Sequence, residues 1–206
     1  IKVEKVAGTD VEMIQKTDYP WNGEVSLVVN PAKPSKFTIY VRVPDRATSR
    51  LYTAVPSVKG LKALAVNGKP VAPTIVNGYA EISRTWKAGD RIDLELPMEI
   101  QTVIADERIA ADRGRVALKY GPLVFNAEKA DQPDIDKYIG TGPLSLEWKK
   151  DLLGGVMVIN GKWSDGSPLV AIPNYARNNR NTVKSTDKPE RPNPADGSNV
   201  WIKKQL

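Results

Sequence analysis

Apolar and polar side chains alternate with a period of two through most of this chain. Val25, Leu27 and Val29 alternate with polar neighbours, Phe37, Ile39, Val41 and Val43 do the same, and Ile92, Leu94 and Leu96 repeat the pattern before Pro97. Successive side chains on a pleated strand point to opposite faces, so each segment carries one apolar and one wet face. That is the pattern of antiparallel sheets packed on one side. Further strands are predicted at 11–17, 61–66, 79–83, 100–105, 115–120, 122–128, 144–149, 155–160, 168–172 and 199–204. Short strands at such spacing build a sandwich or a barrel. No segment sustains a helical apolar stripe, and the best helical candidate, at 134–139, is barely a turn long. The expected fold class is all-β: two antiparallel, jelly-roll-like β-sandwiches with little helix.

Turn chemistry supports this reading. Asn-Gly occurs at 22–23, 67–68, 77–78 and 160–161, and a two-residue type I′ hairpin turn needs positive φ at both central positions, which these residues tolerate best. The matching Val66-Asn-Gly-Lys69 and Ile159-Asn-Gly-Lys162 read as similar hairpin turns, and Lys87-Ala-Gly-Asp90 as another turn. Alternation lapses over 105–114 after a clean strand ends at Pro97-Met98. The predicted organisation is a first sandwich at 1–98 plus 198–206 and a second at 99–197. The second includes a polar, Pro-rich surface excursion at about 174–197.

Composition removes several chemistries. The 206 residues include no His and no Cys, so there is no imidazole base, no thiolate nucleophile and no zinc–thiolate cluster. No run of about 18 apolar residues is present to span a membrane. The net charge of +6 is dispersed, whereas a nucleic-acid binder concentrates basic residues on one element. The one local surplus, around Arg177, Arg180, Lys184, Lys188 and Arg191, reads as a solvated loop. An opening at Ile1 reads as a mature or excised piece of a longer protein, with a periplasmic or secreted location as the expectation.

Several motifs in fixed order resemble one family. They are Thr17-Asp-Tyr-Pro-Trp-Asn-Gly23, Phe37-Thr-Ile-Tyr-Val-Arg-Val-Pro44, Val66-Asn-Gly-Lys-Pro-Val71, Gly78-Tyr-Ala-Glu-Ile82 and Trp86-Lys-Ala-Gly-Asp90. Leu94-Glu-Leu-Pro-Met98, Asp112-Arg-Gly-Arg-Val-Ala-Leu118, Gly121-Pro-Leu-Val124 and Ala171-Ile-Pro-Asn-Tyr-Ala176 continue the series. Together they are similar to the carboxy-terminal β-sandwich region of the β-L-arabinofuranosidases, glycoside hydrolase family 127. The resemblance implies a catalytic (α/α)6 barrel in the same polypeptide, with zinc held there by cysteines and a glutamate. It implies a non-catalytic accessory role for the present chain, with no cofactor or metal of its own and plant-type arabinose-containing glycans as the parent's substrates.

A glycosidase can work with two carboxylates about 5–10 Å apart, but Glu81, Asp93 and Glu95 alternate with apolar residues and belong on outward faces. Asp131, Asp134 and Asp136 lack EF-hand spacing. Asp112-Arg-Gly-Arg115 suggests bidentate carboxylate–guanidinium pairs that pin a loop or a neighbouring domain. Tyr19, Trp21, Asp112, Arg113, Arg115 and Tyr120 are therefore the candidate interdomain docking residues. The alternative is a carbohydrate-binding module, with Trp163 and Tyr175 as the exposed aromatic pair. Trp86 and Trp201 read as core or rim residues.

Overall fold

The structure, a computed structural model, describes residues 1–44, 49–180 and 197–205. The chain divides into two units, 1–48 with 58–98 and 49–57 with 99–206. Strands β1 (Lys2–Val6), β2 (Thr9–Thr17), β3 (Glu24–Pro31) and β4 (Ser35–Arg42) open the first unit. After β5 (Tyr52–Val55) come β6 (Ala63–Val66), β7 (Lys69–Pro70) and β8 (Thr74–Val76). Strands β9 (Tyr79–Trp86) and β10 (Asp90–Glu95) complete that unit.

A six-stranded sheet, β1-β2-β3-β10-β6-β7, faces a three-stranded sheet, β4-β9-β8. One continuous core joins them: Val29, Leu64, Val66, Ile92 and Leu94 from the first, Ile39, Val41, Ala80, Ile82 and Trp86 from the second. These are the inward positions of the alternating segments. Trp86 is fully buried and its Nε1 donates to the Phe37 carbonyl at 3.0 Å, so its polar edge enters the core with a partner. The Lys87–Asp90 turn carries the chain from one sheet to the other. There the Asp90 carboxylate accepts the Lys87 amide (2.9 Å) and the Asn67 side chain (2.8 Å), while Asn30 accepts from Gly89 at 2.9 Å.

The four Asn-Gly pairs divide two and two. Asn67-Gly68 and Asn77-Gly78 have positive φ at both positions and close the β6–β7 and β8–β9 hairpins as expected. Asn160-Gly161 lies inside a strand, and Gly23 packs so closely on the Leu96 backbone that a Cβ would overlap the Leu96 carbonyl oxygen. The dipeptide permits a tight turn, but at the latter two positions lack of a side chain is what the packing uses.

The second unit contains β5, β11 (Ile100–Ala105), β12 (Arg115–Tyr120) and β13 (Leu123–Glu128). It continues with β14 (Tyr138–Ile139), β15 (Ser145–Lys149), β16 (Val156–Lys162) and β17 (Pro168–Pro173). Strands β18 (Ser198–Asn199) and β19 (Trp201–Lys204) end it. All belong to one ten-stranded sheet that is antiparallel except for the β14–β19 pair. Consecutive residues of β13, Phe125 through Glu128, are all buried, so this strand is covered on both faces.

Three expectations change here. The last strand, assigned to the first sandwich, is hydrogen-bonded into the second unit: Trp201 pairs with Ala117 and Asn199 with Ala127. The β12–β13 hairpin pairs from Leu118–Phe125 to Tyr120–Leu123 and then splays, and the returning chain fills the opening. Residues 49–57 likewise leave the first unit, because β5 pairs with β11. The helical candidate at 134–139 ends in strand β14, and the short 3-10 turns lie at Ala110–Asp112 and Asn174–Ala176 instead. Most of the predicted Pro-rich excursion, 181–196, falls outside the described residues, with Lys184, Lys188 and Arg191.

Candidate functional sites

The docking motif occupies the link between β11 and β12. Arg108 grips the Asp106 carboxylate with Nε at 2.7 Å and Nη2 at 3.1 Å. The bidentate pair expected of Asp112 is thus formed at the start of the link by a different acid and base. Arg113 Nε donates to the Glu107 carbonyl at 2.7 Å and Arg115 Nη1 to the Trp201 carbonyl at 3.0 Å. Both guanidinium groups therefore tie backbone to backbone, as a clamp would. Ile104, Glu107, Asp112, Arg113, Arg115 and Lys204 line a concavity of about 720 Å³. The structure brings the three motif residues together there.

Tyr120, the sixth candidate, is elsewhere. It is buried, five residues along β12 from Arg115, roughly 17 Å by strand rise, and burial pushes its phenol up. Tyr19 and Trp21 belong to the first unit: Tyr19 packs on its core, and Trp21 is half-buried in the turn where its amide donates to the Asp18 carbonyl at 2.7 Å.

The Arg108 hydrogen bonds hold the Asp106 carboxyl down to about 2. A carboxylate with a depressed value contributes stability above its unfolded value, near 4, and loses it as the pH falls through about 2. A carboxyl-detected NMR titration of the chain should find Asp106 still ionised at pH 3. In Arg108→Ala its midpoint should return to the ordinary aspartate range; an unchanged midpoint would sink the assignment of cause.

The aromatic pair does not form a platform. Tyr175 is 60% exposed, but Trp163, expected beside it on the surface, is 2% exposed. It lies where β16 turns into β17: its amide donates to the Ser167 carbonyl at 2.9 Å, and its backbone bridges Ile139. Following a strand with no apolar alternation of its own, it carried no local signal of burial. The exposed tryptophan is Trp148, at 48%, whose indole lies across Gly155. Trp201 stacks on Tyr52 with centroids 5.9 Å apart.

The carboxylates behave mostly as surface groups. Asp93 pairs with Arg91 at 2.8 Å and Glu95 with Lys62, on the outward side of β10. Of the suggested calcium ligands, Asp136 pairs with Lys203 at 2.9 Å and Asp131 with Arg180. Among the described residues no group of three or more Asp or Glu could hold a metal ion.

Sequence reasoning missed one polar cluster. Arg180, read as part of a solvated loop, sends Nη2 to Glu128 at 2.7 Å and both terminal nitrogens to Asp131. The Asn178 amide donates to the other Glu128 oxygen at 2.7 Å. Gln132 joins the same region, accepting from Val170 N at 3.0 Å and donating to its carbonyl at 2.9 Å. The available signal was Glu128 at the end of the Leu123–Ala127 run, in which Asn126 is the one other polar residue.

Residues 2–98 match the family model of the β-L-arabinofuranosidase GH127 middle domain, and residues 100–186 that of the glycoside hydrolase family 127 C-terminal domain. A non-reducing end β-L-arabinofuranosidase of Bifidobacterium longum subsp. longum is 31% identical over 168 residues, 76% of this chain and 23% of the relative. The crystal structure of a GH127 β-L-arabinofuranosidase from Geobacillus stearothermophilus T6 superposes with a TM-score of 0.79 at 29% identity. That match covers 100% of this chain and 32% of that one. A second solved GH127 β-arabinofuranosidase gives 0.78 at 25% identity, covering 99% and 33%. The chain thus spans less than a quarter of the curated relative and about a third of the solved ones.

Proposed function

The chain belongs to glycoside hydrolase family 127, in which it spans the middle and C-terminal domains, and from that premise we propose that it is the non-catalytic accessory region of a β-L-arabinofuranosidase-like enzyme. Its work in this reading is mechanical: it docks against a catalytic barrel in the same polypeptide and holds that barrel's orientation. What carries the reading is residue chemistry set against coverage. Two domain models account for most of the chain, yet it contains no thiol and no imidazole. The zinc–cysteine centre implied by the family resemblance has no donor set here, so any such metal belongs to the barrel.

The Asp112–Arg115 clamp is the proposed docking edge, since it presents charged side chains on a backbone that is tied down from two sides. The test compares one substitution in two contexts. Arg113 is exposed, so Arg113→Ala should change the melting temperature of the isolated chain little, as surface substitutions do. In the full-length enzyme it should lower the melting temperature by about 1 °C, the shift that a 1 kcal/mol contact gives a chain some three times this length, with turnover of an aryl β-L-arabinofuranoside nearly unchanged. Equal shifts in both contexts, or hydrolysis by the isolated chain, would overturn the proposal. The carbohydrate-binding alternative loses Trp163 as its anchor, because a buried ring cannot stack on a sugar.

A further inference from the structure

The outer face of the three-stranded sheet carries a group of side chains that the scaffolding role does not use. Register places Tyr40 opposite Glu81 and Glu81 opposite Thr74; in the next row Arg42 lies opposite Tyr79 and Tyr79 opposite Val76. Thr38 faces Ser83 in the row on the other side of Tyr40. The alternate residues Ile39, Val41, Ala80 and Ile82 form the core, so the pleat drives this set outward. Tyr40 is 59% and Tyr79 41% exposed. The two residues are diagonal cross-strand neighbours, their backbones roughly 7–8 Å apart.

The face is built as well as exposed. The Arg42 guanidinium lies 5.2 Å over the Tyr79 ring, and its Nη1 donates to the Gly78 carbonyl at 2.9 Å. A Cβ on Gly78 would overlap that nitrogen. The Asn77-Gly78 turn, made for the hairpin, therefore also admits and orients the cation. The result is two flat aromatic surfaces, one fixed donor, one carboxylate acceptor and three hydroxyls on a single pleated plane.

We propose that this face binds a neutral oligosaccharide, with Tyr40 and Tyr79 stacking on C–H faces of successive sugar rings and Arg42 and Glu81 bonding their hydroxyls. The chemistry favours a polyhydroxylated ligand without net charge. Arg42 and Glu81 offset one another, Thr38, Ser83 and Thr74 are neutral, Lys36 in the row beyond Thr38 adds a single further charge, and a phosphate backbone would require a run of cations. An arabinose-bearing glycan is the first class to test, because the relatives named above act on arabinofuranosides. That choice rests on family membership and is independent of the docking proposal: this site can fail while the clamp holds, and the reverse.

The experiment titrates the 206-residue chain with arabinan- and arabinogalactan-derived oligosaccharides, followed by calorimetry and by amide shifts in 15N-labelled protein. Saturable binding is expected, with shifts clustered at Thr38, Tyr40, Arg42, Tyr79 and Glu81. Tyr40→Ala and Tyr79→Ala should each weaken it roughly two- to tenfold, the range of single aromatic stacking contributions. Tyr40→Phe should retain most of it, and Trp148→Ala should leave it unchanged. Thermal melts of each variant separate lost binding from lost folding. A flat titration overturns the proposal, as do shifts mapping to another surface, binding indifferent to both tyrosines, or preferential salt-sensitive binding of a sulfated polysaccharide.

Discussion

Replacing Arg180 with methionine should destabilise this chain by about 3–5 kcal/mol, the range for leaving one partner of a buried ion pair uncompensated. The side chains of Glu128, Asp131 and Arg180 are only 4%, 16% and 17% exposed. The Asp131 hydrogen bonds raise the Arg180 guanidinium above its ordinary value against the opposing effect of burial, and Glu128 adds to the rise. Without the cation, Glu128 would face a dry environment with the Asn178 amide and no counter-charge.

Urea unfolding at pH 7 measures the loss in Arg180→Met. Adding Glu128→Gln should recover part of it, since the stranded charge and not the missing attraction is the main cost. A loss below about 1 kcal/mol at pH 7, the size of an exposed pair, would show that water reaches the cluster.

The second large effect concerns Trp163. Trp163→Ala should remove about 3–5 kcal/mol, as deletion of a buried indole does through lost transfer free energy and the cavity left behind. Tyr175→Ala should cost well under 1 kcal/mol, because most of that ring already faces water. Whole-domain stabilities are commonly about 5–15 kcal/mol, so the first change consumes much of the margin and the second does not. Denaturant midpoints of the two variants decide the matter. Equal small shifts would return Trp163 to the surface and revive the aromatic pair as a sugar platform.

These two residues also mark the limit of what was legible. Wherever apolar residues alternate, as in Phe37–Val43 or Ile92–Leu96, the inward set could be named in advance and forms the core. The outward set was equally legible: the same alternation that buries Ile39 and Val41 exposes Tyr40 and Arg42, so the proposed glycan face was readable in principle. The place of the Asp112–Arg115 motif between two strands was legible, and its three residues gather at one concavity. Its bonding was not, because whether a guanidinium meets a carboxylate or a carbonyl depends on loop geometry that no spacing rule encodes. Arg180 and Glu128 stand 52 positions apart, and nothing near either one announces the other.

Alternation and turn residues, both local, were thus sufficient in the sequence to establish an all-β chain and the side of each regular strand that faces inward. The tertiary structure alone decided which strands meet: that 201–204 pairs with Arg115–Ala117, that 52–55 leaves the first unit for β11, and that one Asn-Gly closes a hairpin while another lies within a strand. The physical reason is that a strand's edge offers the same backbone donors and acceptors whatever its side chains. Partnership is therefore settled by packing and chain closure over long separations. Burial of a loop residue such as Trp163 is settled in the same way.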